Sequence, residues 1–163
     1  MFIERRDHER ARELFTHVLE SRGLEPTPLQ RSYAHLRRGF CPAGGRDPRP
    51  LAKSRGDFLA AQRLAPEAEW AGVALFLAGN SYWNAERDLN RALELWRQVL
   101  EEYPQSPGAE PSAYFIGVAY ELSERYAEAE AAFEDLKSRY PESSFVKLAD
   151  EHLEDVRRKL RRR

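Results

Sequence analysis

The chain has 163 residues, 42% of them hydrophobic and 33% charged, with 26 Lys and Arg against 27 Asp and Glu for a net charge of −1. A chain of this length buries about 70% of the surface that its unfolded form exposes, so it needs neither disulfide nor structural metal. The near-zero charge argues against a general nucleic-acid or membrane-surface binder. The one cysteine, Cys41, cannot close an intrachain disulfide. Met1-Phe2-Ile3 runs straight into Glu4, Arg5, Arg6 and Asp7, without the apolar core of a secretory signal. The longest apolar stretch, Ala71 to Gly79, is about half of a membrane span. A cytoplasmic globular protein is the expectation.

Apolar residues recur at spacings of three and four, so the predicted elements are amphipathic helices and no sheet is expected. The first helix, over 7–22, carries Ala11, Leu14, Phe15, Val18 and Leu19 on one stripe. A second is predicted over 28–40. The Gly- and Pro-rich run from Cys41 to Pro50 rules out helix, and this loop is either functional or merely tolerated. Helices follow over 49–64, 67–83, 88–103, 110–123 and 126–140. Pro66, Pro104 and Pro141 close the second helix of each repeat, 49–64, 88–103 and 126–140, since proline lacks the amide hydrogen that the helix ladder needs. The last helix, over 144–161, sets Phe145, Leu148, Ala149, His152, Leu153, Val156 and Leu160 on one stripe. Its other face carries Asp150, Glu151, Glu154, Asp155, Arg157 and Arg158, the pattern of a capping helix.

The chain repeats itself. A shift of 37 superposes Ala92 on Ala129, Trp96 on Phe133, Val99 on Leu136, Tyr103 on Tyr140, Pro104 on Pro141 and Ser106 on Ser143. Upstream, Gly79 and Tyr82 superpose on Gly117 and Tyr120 at a shift of 38, which places one inserted residue in the intervening turn. A worn earlier copy reads Tyr33, Leu36, Phe40, Phe58, Ala61 and Pro66. In each copy an aromatic precedes a proline by eight residues. The organisation expected is one domain over 1–163: an orphan helix (7–27), a degenerate repeat (28–66) with the loop 41–50, repeats over 67–106 and 107–143, and a cap (144–163).

These residues resemble the tetratricopeptide repeat family, whose pattern is Trp-x2-Leu-Gly-x2-Tyr, then Ala-x3-Phe, then Pro. The last full copy reads Ala113-x2-Ile116-Gly117-x2-Tyr120, Tyr126, Ala129-x3-Phe133 and Pro141. The preceding copy keeps Gly79, Tyr82, Ala92, Trp96 and Pro104. The Tyr-Pro-x-Ser endings at Tyr103 and Tyr140 resemble those of bacterial members of the envelope-assembly and cell-division type. The resemblance implies an all-α, right-handed solenoid of antiparallel helix pairs. It also implies a non-catalytic adaptor, scaffold or assembly factor that binds a peptide segment of another protein on its concave face. By alignment with the family that face carries Arg31, Ala34 and Arg38 in the worn copy, then Phe76, Asn80, Trp83 and Asn84, then Tyr114, Val118 and Glu121. Asn80 stands where a carboxylate-clamping subset has asparagine, but Phe76 replaces a lysine of that clamp. The alternative for Phe76 and Trp83 is packing against the chain's own helices.

Other constellations give weak signals for chemistry. Gly44-Gly45 lacks the following Lys-Ser or Lys-Thr of a phosphate loop. His8, His17, His35 and His152 have no partner histidine at i+4, so no helical metal pair exists, and no cofactor is expected. Cys41 has no obvious base to activate it. The carboxylates sit on polar helix faces beside Arg and Lys. The tail Arg157-Arg158-Lys159-Leu160-Arg161-Arg162-Arg163 is a second candidate surface, for nucleic acid or an acidic partner. Its cations equally complement a helix C-terminus. At the other end, the 7–22 helix matches the second helix of a repeat whose first helix is missing. Its stripe of Leu14, Phe15 and Val18 predicts either a weak homodimer through this edge or a longer native chain.

Overall fold

The computed structural model describes residues 2–21, 25–41 and 50–162, with side chains at 8–21, 25–41 and 52–162. Eight α-helices make up the described chain: α1 (Phe2–Glu20), α2 (Pro28–Phe40), α3 (Pro50–Leu64), α4 (Ala71–Ser81), α5 (Leu89–Glu102), α6 (Ala109–Leu122), α7 (Tyr126–Arg139) and α8 (Phe145–Leu160). No strand occurs among the described residues. Consecutive helices pack on one another from α1 to α8, and α4 with α6 and α6 with α8 form a second set of contacts. The first helices α4, α6 and α8 therefore line up side by side, in an all-α solenoid. Of the predicted 41–50 loop, residues 42–49 lie outside the described residues.

Local chemistry accounts for the helix starts. Thr27 caps α2 in a reciprocal box: its hydroxyl accepts from the Gln30 amide at 3.3 Å, the Gln30 side chain accepts from the Thr27 amide at 2.9 Å, and Pro28 sits at the first helical position. Asp88 caps α5 by accepting from the Arg91 amide. The helix predicted over 67–83 begins later, at Ala71, because two successive turns intervene after Pro66: the Ala68 amide donates to Ala65 O and the Ala71 amide to Ala68 O. The same double turn recurs as Ser106 to Tyr103 and Ala109 to Ser106, and again as Ser143 to Tyr140 and Val146 to Ser143. It is the joint between units, and each proline lies just inside it.

The inserted residue has a visible consequence. The chain from Tyr82 to Glu86 forms a π-helical turn, with Arg87 following at φ 58°. At the equivalent joint between α6 and α7, Glu124 has φ 57°, and no π-turn precedes it. Arg87 and Glu124 are 37 residues apart, whereas Tyr82 and Tyr120 are 38 apart, so the extra residue falls between them and is absorbed as the π-turn. Widening the helix by one residue keeps the hydrogen-bond ladder closed.

Packing turns on a glycine opposite an aromatic ring, repeated three times. A Cβ on Gly117 would lie 2.5 Å from Phe133 Cε1, one on Gly79 2.5 Å from Trp96 Nε1, and one on Gly39 2.6 Å from Phe58 Cε1. Phe58, Trp96 and Phe133 are at most 2% exposed, and burying each such ring contributes about 2–3 kcal/mol. The Trp96 indole also donates to Phe76 O at 3.3 Å. A parallel arrangement in the first unit links three elements, for Trp70 Nε1 donates to Ser32 Oγ at 2.9 Å and Ser32 Oγ donates to Ala61 O at 2.6 Å.

Candidate functional site: the face of the first helices

The three glycines fix a common register. Counting from Gly39, Gly79 and Gly117, equivalent positions one residue on are Phe40, Asn80 and Val118, and three residues back they are Leu36, Phe76 and Tyr114. This corrects the alignment of the first unit: Leu36 and Phe40, not Arg31, Ala34 and Arg38, share the angular position of the other units' face residues. Leu36 and Ala34 are buried. Arg31 Nε donates to Pro26 O at 3.3 Å, across the start of its own helix.

Arg38 is occupied internally. Its Nη2 donates to Asp57 Oδ1 at 2.6 Å and its Nε reaches both Asp57 oxygens at 3.1 Å, while His35 Nδ1 donates to Oδ1 at 2.8 Å. Burial works to raise the Asp57 pKa, but these hydrogen bonds and the Arg38 charge outweigh it and hold the carboxyl below its ordinary value. The cluster ties α2 to α3, and through Arg38 Nη1 to Thr16 Oγ1 it reaches α1.

Trp83 sits in a seam of rings. It meets Trp96 edge-on at 5.3 Å and Phe115 at 5.4 Å, and Phe76 lies 5.9 Å from Phe115. Phe115, which spacing alone did not single out, joins the two first helices because it stands one residue beyond the Tyr114 register. Phe76 and Trp83 thus pack against the chain's own helices and are half-buried. Asn84 is exposed, with its amide donating to Asn80 O at 2.9 Å. Asn80 Oδ1 is buried without a hydrogen-bond partner, leaving an acceptor aimed at nothing in the chain. Leu122, at Asn84's position in the next unit, is 69% exposed, and Phe40 is 49% exposed.

At the far end, Tyr114 and Glu121 face α8. Tyr114 stacks on Phe145 at 5.0 Å, and its hydroxyl meets His152 Nε2 at 3.0 Å. His152 Nδ1 donates to Glu121 Oε2 at 2.6 Å, so in the neutral ring Nε2 accepts the tyrosine hydrogen. Lys159 Nζ donates to Glu121 Oε1 at 2.8 Å. Burial opposes ionisation of Glu121, but the hydrogen bonds from Lys159 and His152 prevail and lower its pKa. Burial, reinforced by Glu121 and Glu151, raises that of Tyr114. Val118 is half-buried against the same core.

The remaining candidates are also engaged. Arg157 binds Glu130 at 2.6 Å and Glu134 at 2.7 Å, and Arg158 pairs with Asp155, so three cations of the tail, counting Lys159, already face carboxylates. Cys41 is buried, its thiol bonded to Arg37 O at 3.3 Å. Burial pushes the thiol pKa up against the opposing charges of Arg37 and Arg12, which favours the unreactive protonated form. Among the described residues no cluster of three or more His, Cys, Asp and Glu could hold a metal. No helix among them is long and apolar enough to cross a membrane.

Residues 73–106 and 114–143 match the tetratricopeptide repeat family, so these two units are repeats of that kind. The two matched segments start on α4 and α6, beside the glycine register found from the packing. No curated protein sequence matches the chain. Repeats of this family generally mediate protein–protein interaction and are typically non-catalytic.

Proposed function

We propose that the chain is a non-catalytic adaptor or assembly factor that docks a peptide segment of a partner protein across the aligned faces of α2, α4 and α6. The observation that carries the reading is the buried, unpartnered Asn80 Oδ1. Phe40, at the equivalent position of the first unit, and Leu122, one turn beyond the equivalent position of the third, are both exposed. A buried acceptor left unpaired costs about 1–3 kcal/mol, a cost relieved when the Asn80 side chain turns outward to a peptide amide. Phe40 and Leu122 offer apolar anchors on either side, and Asn84 a further amide. Phe76, Trp83, Tyr114 and Glu121 shape the floor, with Val118, and hold the faces in line. A second surface, the N-terminal edge of Leu14, Phe15 and Val18, we assign to weak self-association.

Capture of partners from lysate tests the groove. Leu122→Asp and Phe40→Asp are expected to lose the protein that the wild type retains. Glu94→Arg, on the outward face of α5, is expected to retain it. Equal capture by all four proteins overturns the reading.

A further inference from the structure

We propose that two copies of the chain associate through α1, packed antiparallel about a two-fold axis at Phe15, with Leu14 and Val18 in the seam. The proposal rests on the assignment of the N-terminal edge to self-association and adds the geometry of the contact. Seven large hydrophobic side chains are exposed among the described residues, and five of them lie on α1 and α2: Leu14 (61%), Val18 (39%), Leu29 (51%), Tyr33 (47%) and Phe40 (49%). No side chain of α1 between His8 and Glu20 is buried, although Ala11, Leu14, Phe15, Val18 and Leu19 form an apolar stripe. Two polar bonds also hold the helix, Arg12 Nη1 to Cys41 O at 3.2 Å and Arg38 Nη1 to Thr16 Oγ1 at 3.4 Å. Beside the stripe is an apolar hollow of about 340 Å³, lined by Phe15, Val18, Leu29, Tyr33, Ala34 and Trp70.

The order of charges along α1 indicates what covers this edge. Arg10, Glu13, His17 and Glu20 are all exposed, and at 100° per residue they lie together along one flank of Leu14 and Val18. An antiparallel two-fold at Phe15 sets residue i opposite residue 30 − i of the other copy. Arg10 then faces Glu20 of the second copy, and Glu13 faces His17, each pair occurring twice. The apolar residues fit the same axis: Leu14 falls between Leu14 and Val18 of the second copy, and Ala11 faces Leu19. In a parallel pair the two-fold would set the charged flanks of the two copies on opposite sides of the seam, so Arg10 and Glu20 would not meet. A contact that closes on itself requires a self-complementary patch, and Arg10 and Glu20, equally far from Phe15 and opposite in charge, supply one. Leu14, the most exposed apolar side chain of the helix, is the knob that each copy offers to the other's hollow. One helix and the flank of the next form a small contact, so dissociation is expected at about micromolar concentration or weaker.

Sedimentation equilibrium across a concentration series tests the proposal, with helicity of each variant checked by circular dichroism. The wild type is expected to dimerise reversibly, and Leu14→Glu to weaken the dimer at least about tenfold. Arg10→Glu and Glu20→Arg are each expected to weaken self-association, since each opposes like charges twice. Mixed in equal amounts, the two variants are expected to associate with each other at wild-type strength, because both contacts of the mixed dimer are again opposite in sign. A fully helical wild type that stays monomeric at every concentration overturns self-association itself, and with it the geometry. A dimer weakened by Leu14→Glu but indifferent to the charge exchange keeps the edge and overturns the antiparallel arrangement.

Discussion

Replacing Gly117 by alanine sets helix propensity against packing, and the structure says which prevails. In a helix interior alanine is favoured over glycine by about 1 kcal/mol. At Gly117 the new Cβ would stand 2.5, 2.6 and 2.8 Å from Cε1, Cδ1 and Cζ of Phe133, about 1 Å inside the normal separation of roughly 3.5–4.0 Å. The ring cannot retreat: it is fully buried, stacks on His152 at 5.2 Å and leans on Tyr114 at 6.1 Å. Overpacking of this kind costs about 1–3 kcal/mol and sometimes more; three approaches under 3 Å to an immobile ring put this site at the upper end, about 2–3 kcal/mol, so Gly117→Ala is expected to destabilise by about 1–2 kcal/mol after the propensity gain. Gly56 provides the opposite case. It lies inside α3, is exposed, and a Cβ there meets nothing within 4 Å, so Gly56→Ala is expected to stabilise by about 0.5–1 kcal/mol. Urea unfolding followed by circular dichroism measures both, with slopes compared because repeat arrays can lose two-state behaviour. Adding Phe133→Leu to Gly117→Ala should cost less than the sum of the two changes. A Gly117→Ala protein as stable as the wild type would refute the packing argument.

Three further outcomes follow from the same geometry. The pKa values of Asp57 and Glu121 are lowered in the folded chain. Stability from their pairs is therefore complete above the unfolded carboxylate range, about pH 4–5, and is lost as pH falls through the lower folded values. Acid unfolding should show a slope below about pH 4 that Asp57→Asn and Glu121→Gln each reduce; an unchanged slope counts against the clusters. At neutral pH, Asp57→Asn should cost about 3 kcal/mol, because it leaves the Arg38 charge half-buried and unpaired, and a loss under about 0.5 kcal/mol in thermal or urea unfolding would contradict this. Deleting Ala85 removes the residue absorbed by the π-turn, so it should change stability by less than about 1 kcal/mol, whereas deleting Ser123 from the equivalent joint should cost more than about 2 kcal/mol; equal losses in thermal unfolding would show that the turn carries no surplus residue.

The second and third units were legible because each type-specific position answers one steric demand: no Cβ at Gly79 and Gly117, a ring opposite at Trp96 and Phe133, and a proline inside each joint. The inserted residue was also legible as a count, but the count could not say whether the chain would loop out or widen a helix. The first unit was misaligned because Tyr33, Leu36 and Phe40 look like the register while the decisive residue is Gly39, one of several small residues whose role depends on where Phe58 lies. The start of α4 was set too early because Pro66 and Glu67 carry helix-start chemistry that the double turn uses instead. At the candidate site, the family resemblance assigned Phe76, Trp83, Tyr114 and Glu121 to one face; Phe76 lies on α4, Trp83 in the π-turn that follows it, and Tyr114 and Glu121 on α6. The resemblance could not show that Phe115, His152 and Lys159 reach them from neighbouring elements, because no local pattern encodes contacts between helices about 30 residues apart.

Site-specific photo-crosslinking tests the central claim most directly. A photoreactive residue is placed at Leu122, on the face shared by the first helices, and in a second protein at Glu94, on the outward face of α5, and each is irradiated with the partner retained in the capture experiment. A partner peptide joined at 122 and absent at 94 is the expected result. Crosslinking at 94 with none at 122 would contradict a peptide lying across α2, α4 and α6.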